Sequence, residues 1–242
     1  MKENKTLRFL INALWLQDFA VNIASRIHPS IRHGLSKVSA LQKAFFYVEL
    51  EKLEGDYLEF GVFQGSSFIS AYKCWTSIGR GQELPRSFYG FDSFSGLRDH
   101  GEKDQHPSWV NGTFAVDFLK VNKRISKHLR KAKWQLVRGY VEDTIQRKQA
   151  RDFGIDKVAI ALIDIDLGGP AKIALDFLRA SLQKGSIVIF DDYLFYRGSL
   201  DCGEQGAFNE FQRENDNLRF TRLFDYGVCG RAFILSEISK RD

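Results

Sequence analysis

Two short apolar runs, Val158–Ile163 and Gly185–Phe190, both end in aspartate: Asp164 follows the first, and Asp191-Asp192 the second. A run of about six residues without polar alternation is covered on both faces, as strands of a parallel sheet are. Such sheets bind ligands beyond the carboxyl ends of their strands. The two runs therefore predict a carboxylate-lined corner at that end of a sheet.

The rest of the chain alternates in the same way. Tyr57–Val62, Ser87–Phe91 and Trp134–Val137 read as further strands. Helical spacing covers about 6–27, 38–53, 66–78, 112–130, 143–150, 171–181 and 204–216, and two late strands lie near 218–225 and 231–236. Pro29 stops the first helix, Gly55 caps the end of the second, and Ser66 or Ser67 caps the start of the third. This order predicts an α/β fold: a doubly wound, Rossmann-like sheet, mostly parallel with an antiparallel C-terminal strand, plus N-terminal helices. Residues 1–54 form a helical annex in this reading, and 55–242 the sheet domain.

The formal charge is +5, and residues 1–37 hold six Lys/Arg against Glu3 and Asp18. The body is thus nearly neutral, which argues against a large nucleic-acid groove. The arm also carries Leu7, Leu10, Leu14, Trp15, Phe19 and Ile23 at helical spacing. Two readings of it stand. It packs on the domain or on a second copy in a homo-oligomer, or it makes peripheral contact with an anionic membrane as a basic amphipathic helix. No apolar run reaches the ~18 residues that span a bilayer. Three widely spaced cysteines, Cys74, Cys202 and Cys229, exclude a disulfide scaffold. The expected location is the cytoplasm, with the arm at the inner membrane face under the second reading.

Four constellations carry chemistry. Glu59-Phe60-Gly61-Val62-Phe63-Gln64-Gly65-Ser66-Ser67 places glycines and a helix start after a strand, where backbone approaches a ligand closely. Its spacing is not G-x-G-x-x-G, and an acid before the glycines suits an ammonium group better than a pyrophosphate. Asp92-Ser93 ends the second strand, where a carboxylate accepts both hydroxyls of a ribose; an isolated Asp there reads as a loop cap, but behind the E-x-G-x-x-x-G turn the ribose reading is the better one. Glu142-Asp143-Thr144 lies where a nucleobase would sit, and Asp143 or Thr144 equally suits a helix cap. Asp164, Asp166, Asp191 and Asp192 repel one another unless a cation joins them or some are protonated; the plainer alternative is that one or two of them cap the following helices. Oxygen donors without His or Cys point to Mg²⁺ or Ca²⁺. His100 and His106 read as solvated loop residues, and Cys74 as core.

These motifs resemble, in order, the macrocin-O-methyltransferase (TylF/MycF-like) group of class I S-adenosylmethionine-dependent methyltransferases. The resemblance rests on Glu59-Phe60-Gly61-Val62 with Gly65, Tyr89-Gly90-Phe91-Asp92-Ser93-Phe94-Ser95-Gly96-Leu97, Gly139 with Glu142-Asp143-Thr144, Ile163-Asp164-Ile165-Asp166-Leu167 and Phe190-Asp191-Asp192-Tyr193. It spans about residues 40–235. It implies S-adenosylmethionine as cofactor, held by Glu59, Gly61, Gly65, Ser66, Asp92, Ser93, Glu142, Asp143 and Asp164. It implies Mg²⁺ on Asp164, Asp191 and Asp192, and a small-molecule or glycan acceptor methylated on a sugar hydroxyl. Asp192 and Asp166 are the candidate catalytic bases. The chain departs from the family at Gly168-Gly169-Pro170, where a Tyr is usual, and in the longer aromatic loop Leu194–Gln205; both border the acceptor side.

Two other functions fit parts of the sequence. One is a metal-independent small-molecule methyltransferase. The other is a non-catalytic nucleotide-binding, membrane-associated partner protein, which would not need acids at four strand ends.

Overall fold

The computed structural model of the chain describes residues 14–78, 86–98, 101 and 104–239. His100 and the first thirteen residues of the arm lie outside them. Helix α1 spans Leu14–Arg26 and α2 spans Pro29–Leu50. Pro29 ends the first helix and also opens the second. Its ring presets φ, and it lacks an N–H that the first helical turn would leave unbonded anyway. So α2 starts at Pro29 rather than near 38. Its inner face buries Ala40, Leu41, Ala44, Phe45 and Val48, while α1 leaves Trp15, Phe19 and Ile23 exposed.

Among the described residues the sheet has seven strands in the order β3-β2-β1-β4-β5-β7-β6. The strands are β1 (Asp56–Phe60), β2 (Ser87–Asp92), β3 (Lys133–Arg138), β4 (Val158–Ile163), β5 (Leu182–Phe190), β6 (Leu218–Tyr226) and β7 (Gly230–Ile238). The first five pair in parallel, and β7 runs antiparallel to both β5 and β6. Both faces are covered. Helix α2, α3 (Ser66–Ser77) and α4 (Phe118–His128) pack on one side, and α5 (Gly168–Leu178) and α6 (Gly203–Glu214) on the other. That is why β4 is buried at all six positions.

Register carries the chemistry to one place. Phe60 pairs with Ile163, and Ile163 with Phe190. The next residues stay in step: Asp164 N–H donates to Phe60 O at 2.8 Å and Asp191 N–H to Ile163 O at 3.0 Å. Asp164 and Asp191 must therefore leave the sheet side by side. The strand order reverses between β1 and β4, the switch point where such sheets open a crevice.

Several boundaries differ from the sequence reading. Helix α3 has Gly65 as its N-cap, in the left-handed conformation and without a side-chain cap bond. Ser66 and Ser67 do not cap it, because Ser67 Oγ donates to Glu59 instead. The stretch predicted helical at 143–150 holds a single turn, Val141–Thr144, capped by neither Asp143 nor Thr144, and then a tight turn at Ala150–Phe153.

Phe45 ties α2 to the sheet, with its ring 5.7 Å from Tyr57 and 6.3 Å from Phe88. Phe45→Ala is expected to lose about 3–5 kcal/mol in urea unfolding. A loss below about 1 kcal/mol would mean that α2 is not part of the core.

Candidate active site

A cavity of about 460 Å³ opens at the carboxyl ends of β1, β2, β4 and β5. Its wall takes Gly61 from the β1 turn, and Asp92 and Ser93 from the end of β2. Glu142 comes from the turn after β3, Asp164 and Asp166 from the end of β4, and Asp191 and Asp192 from the end of β5. Glu59, Gly65, Ser66 and Asp143 are not on that wall.

Gly61 is irreplaceable on steric grounds. Its φ is +90°, and a Cβ there would lie 1.7 Å from the Asp164 carbonyl oxygen. The β1 turn can press against the β4 end only through this glycine. Glu59, two residues earlier, is fully buried beneath the turn. Tyr57 Oη donates to it at 2.5 Å and Ser67 Oγ at 2.7 Å. Burial pushes its carboxyl up to about 7, although both hydroxyls and Lys37 act in the opposite direction. Asp92 accepts from Phe63 N at 2.7 Å and Phe94 N at 2.5 Å, so its carboxylate holds the two loops that border the cavity. Burial raises it above the ordinary carboxylate range. Asp143 is turned to Arg98, whose guanidinium bonds it at 2.7 Å and stacks 3.8 Å from the Tyr140 ring centroid.

The acidic corner is where charge is most concentrated. One carboxylate oxygen from each of Asp164, Asp191 and Asp192 lies within 4.8 Å of the others. Lys37 of α2 reaches into it, with Nζ 2.6 Å from Asp164 Oδ2 and 2.7 Å from Asp191 Oδ2. Asp191 Oδ1 accepts from Tyr226 Oη at 2.7 Å and lies 2.9 Å from His33 Nε2. Val228 N–H donates to His33 Nδ1 at 3.1 Å. That bond leaves the proton on Nε2, so the imidazole donates to Asp191.

One ammonium does not neutralise the cluster. Burial works to raise Asp191, but Lys37 and His33 outweigh it and hold the carboxyl well below its ordinary value. Asp164 is raised well above its ordinary value by burial and by Asp191 beside it, despite Lys37. Asp192 is raised by burial and then by the charges of Glu204, Asp166, Asp191 and Asp164. Asp166 sits at about 6, raised by burial and lowered by its hydrogen bond with Asp192. Its φ of +68° is a left-handed conformation that non-glycine residues seldom adopt.

Sequence reasoning missed the residues that brace this corner. Lys37 belongs to the basic count of the arm and His33 is singled out by no motif, yet both point into the site. Glu204 of α6 is fully buried and accepts from Asp192 N at 2.9 Å and Ile165 N at 3.3 Å. Asp104 accepts from Gly168 N at 2.7 Å and Gly169 N at 3.1 Å at the start of α5, and a Cβ on Gly168 would lie 2.8 Å from the Gly203 carbonyl oxygen. His106 is half-buried rather than free in a solvated loop. Its ring packs 5.4 Å from Trp109, 5.4 Å from Phe195 and 5.1 Å from Tyr196. Trp109, Phe114, Phe63 and Phe195 line the cavity and form a run of contacting rings, Phe63 on Phe114, Phe114 on Trp109 and Trp109 on Phe195. The aromatic residues of the 194–205 loop were the available signal for part of it.

A doubly wound sheet with its cavity at the β1/β4 reversal, a glycine turn after β1 and an acid closing β2, is the architecture of class I methyltransferases. The chain belongs to the macrocin-O-methyltransferase (TylF) family, whose sequence profile matches residues 28–221. It is an S-adenosylmethionine-dependent O-methyltransferase. It is 26% identical over 186 residues to the 8-demethyl-8-(2,3-dimethoxy-alpha-L-rhamnosyl)-tetracenomycin-C 4'-O-methyltransferase of Streptomyces olivaceus, covering 73% of this chain and 68% of that one. Among solved structures, the O-methyltransferase NovP superposes with a TM-score of 0.69 at 20% identity, over 87% of this chain and 89% of its own. The calicheamicin methyltransferase CalS11 does so with 0.66 at 23% identity, over 95% and 90%. Among the described residues no helix is long and apolar enough to cross a membrane.

The raised Glu59 carboxyl generates a pH expectation. It favours the protonated form, so its contribution to stability is full below about pH 4.5 and is lost as pH rises through about 7. Glu59→Gln should remove that loss. Between pH 5 and 8 the variant is expected to gain about 1–3 kcal/mol relative to wild type in denaturant unfolding. A difference that is flat with pH would place the ionised carboxylate in the fold at neutral pH.

Proposed function

We propose that this enzyme transfers a methyl group from S-adenosylmethionine to a hydroxyl of a sugar, on a glycoside or sugar-nucleotide acceptor, with support from Mg²⁺. The observation that carries the reading is the convergence of Asp164, Asp191 and Asp192 to within 4.8 Å, on the wall of the cavity that also receives Gly61 and Asp92. The sugar acceptor is favoured by the rhamnosyl substrate in the name of the Streptomyces olivaceus relative.

The donor set suits the ion. It is made of carboxylate oxygens, which a hard divalent cation prefers, and buried acids raised by burial and mutual repulsion gain from a cation among them. Asp164, Asp191 and Asp192 would hold it. When bound, Mg²⁺ supplies positive charge that makes an adjacent hydroxyl more acidic and can orient a vicinal diol.

The chain's own residues divide the remaining work. Asp92 offers its carboxylate to the ribose hydroxyls of the donor, and Gly61 lets the β1 turn approach it without a side chain in the way. Ser93 and Glu142 line the same side. The aromatic wall of Trp109, Phe114 and Phe195 excludes water from the acceptor side and offers flat faces to a sugar's apolar edge. Transfer needs the acceptor oxygen in line with the methyl carbon and sulfur, so that the O–C bond forms as the C–S bond breaks. The hydroxyl proton passes to a carboxylate. Asp166, at about 6, is charged at neutral pH and close to the range that suits a general base. Asp192, hydrogen-bonded to it, is the alternative acceptor.

Two expectations separate cofactor from metal. Asp92→Ala should weaken S-adenosylmethionine binding by about 1–3 kcal/mol in calorimetry, the scale of a lost charged hydrogen bond; unchanged affinity would remove Asp92 from the cofactor site. Methyl transfer should vanish in EDTA and return with Mg²⁺, and Asp191→Asn should abolish it, while S-adenosylmethionine still binds in each case. Full turnover in EDTA would refute the metal role and favour the metal-independent reading.

A further inference from the structure

We propose that Lys37 is a tethered cation that occupies the metal corner in the ion-free enzyme, and that a divalent ion binds only by displacing its ammonium from Asp164 and Asp191. The proposal rests on the metal reading above and concerns what governs that site's affinity.

The geometry defines the competition. Asp191 has two oxygens. Tyr226 Oη and His33 Nε2 hold Oδ1, from β6 and from the first half of α2. Lys37 Nζ holds Oδ2 at 2.7 Å and reaches Asp164 Oδ2 at 2.6 Å. Ligand oxygens stand about 2.0–2.1 Å from Mg²⁺. An ion bridging the same two oxygens would fall on the position of the ammonium, so the two cannot coexist there. Exchange is favoured by charge, since one positive charge leaves and two arrive among Asp164, Asp166, Asp191, Asp192 and Glu204.

The fold permits the exchange without unfolding. The α2 backbone just beyond Lys37 is pinned by Ala40, Leu41, Ala44 and Phe45, all buried in the core. Lys37 itself lines the cavity, and its four-carbon stem is flexible. The side chain can swing into the cavity while the helix stays. His33 and Tyr226 then keep Asp191 oriented for the incoming ion. In the ion-free state Lys37 spares two adjacent strand ends a bare carboxylate pair. The corner is thus pre-assembled, and its metal affinity is lowered by the ammonium that must first leave.

The test is calorimetric titration of Mg²⁺, with Mn²⁺ binding followed by electron paramagnetic resonance, into wild type, Lys37→Met and Asp191→Asn, all without acceptor. Lys37→Met is expected to bind the ion at least ten-fold more tightly than wild type, and to melt at lower temperature in EDTA with recovery in Mg²⁺. Equal or weaker binding in Lys37→Met, with clear binding in wild type, would overturn the competition and leave the metal site standing. No saturable binding in wild type or Lys37→Met would overturn the metal site and this proposal together. A second measurement needs no variant. Reductive methylation of wild-type lysines, read by mass spectrometry, should show Lys37 reacting faster at saturating Mg²⁺ than in EDTA. Protection unchanged by the ion would overturn the displacement.

Discussion

The carboxylates at the ends of β4 and β5 set the terms for much of this structure. Parallel register obliges Asp164 and Asp191 to emerge side by side, and burial makes that juxtaposition costly without a cation. The Lys37 ammonium answers it directly, at 2.6 and 2.7 Å. Other features follow from holding that pair in place. Tyr226 and His33 fix the far oxygen of Asp191, and Glu204 receives the backbone N–H groups of Asp192 and Ile165. Helix α2 is thereby a part of the site as well as a part of the core.

The cavity beside the corner draws its wall from the ends of several strands. The β1/β4 reversal opens the crevice, and Gly61 lets the first turn press against the β4 end. The β2 and β3 ends supply Asp92, Ser93 and Glu142 to one side, and the acids occupy the other. Trp109, Phe114 and Phe195 close the space between. On the proposed reading the methyl donor takes the Asp92 side and the acceptor hydroxyl the side of the acidic corner.

Much of this was legible in the sequence because strand ends in a parallel sheet are predictable neighbours. Two apolar runs closed by Asp164 and Asp191-Asp192 were enough to locate the corner, and the alternation of elements was enough for the sheet. What the sequence could not show was what faces the corner from elsewhere. Lys37 lies 127 residues from Asp164, and His33 lies 158 from Asp191. Their meeting is decided by how α2 packs, through Phe45 and Leu41, rather than by any local pattern. Glu204 and Asp104 escaped for the same reason: a buried acid that accepts backbone N–H groups resembles a surface acid until its partners are known. The caps failed differently. A serine after Gly65 looked like a helix cap, but a left-handed glycine started α3 unaided, and Ser67 was free to serve Glu59.

The central claim is that this corner is a cation site shared in turn by Lys37 and a divalent ion. Anomalous diffraction from a crystal grown with Mn²⁺ and S-adenosylhomocysteine addresses it most directly. The expected result is a single strong peak about 2–2.5 Å from oxygens of Asp164, Asp191 and Asp192, with the Lys37 ammonium swung away from both of its present partners. A corner with no anomalous peak, and Lys37 still bridging Asp164 and Asp191, would contradict the account.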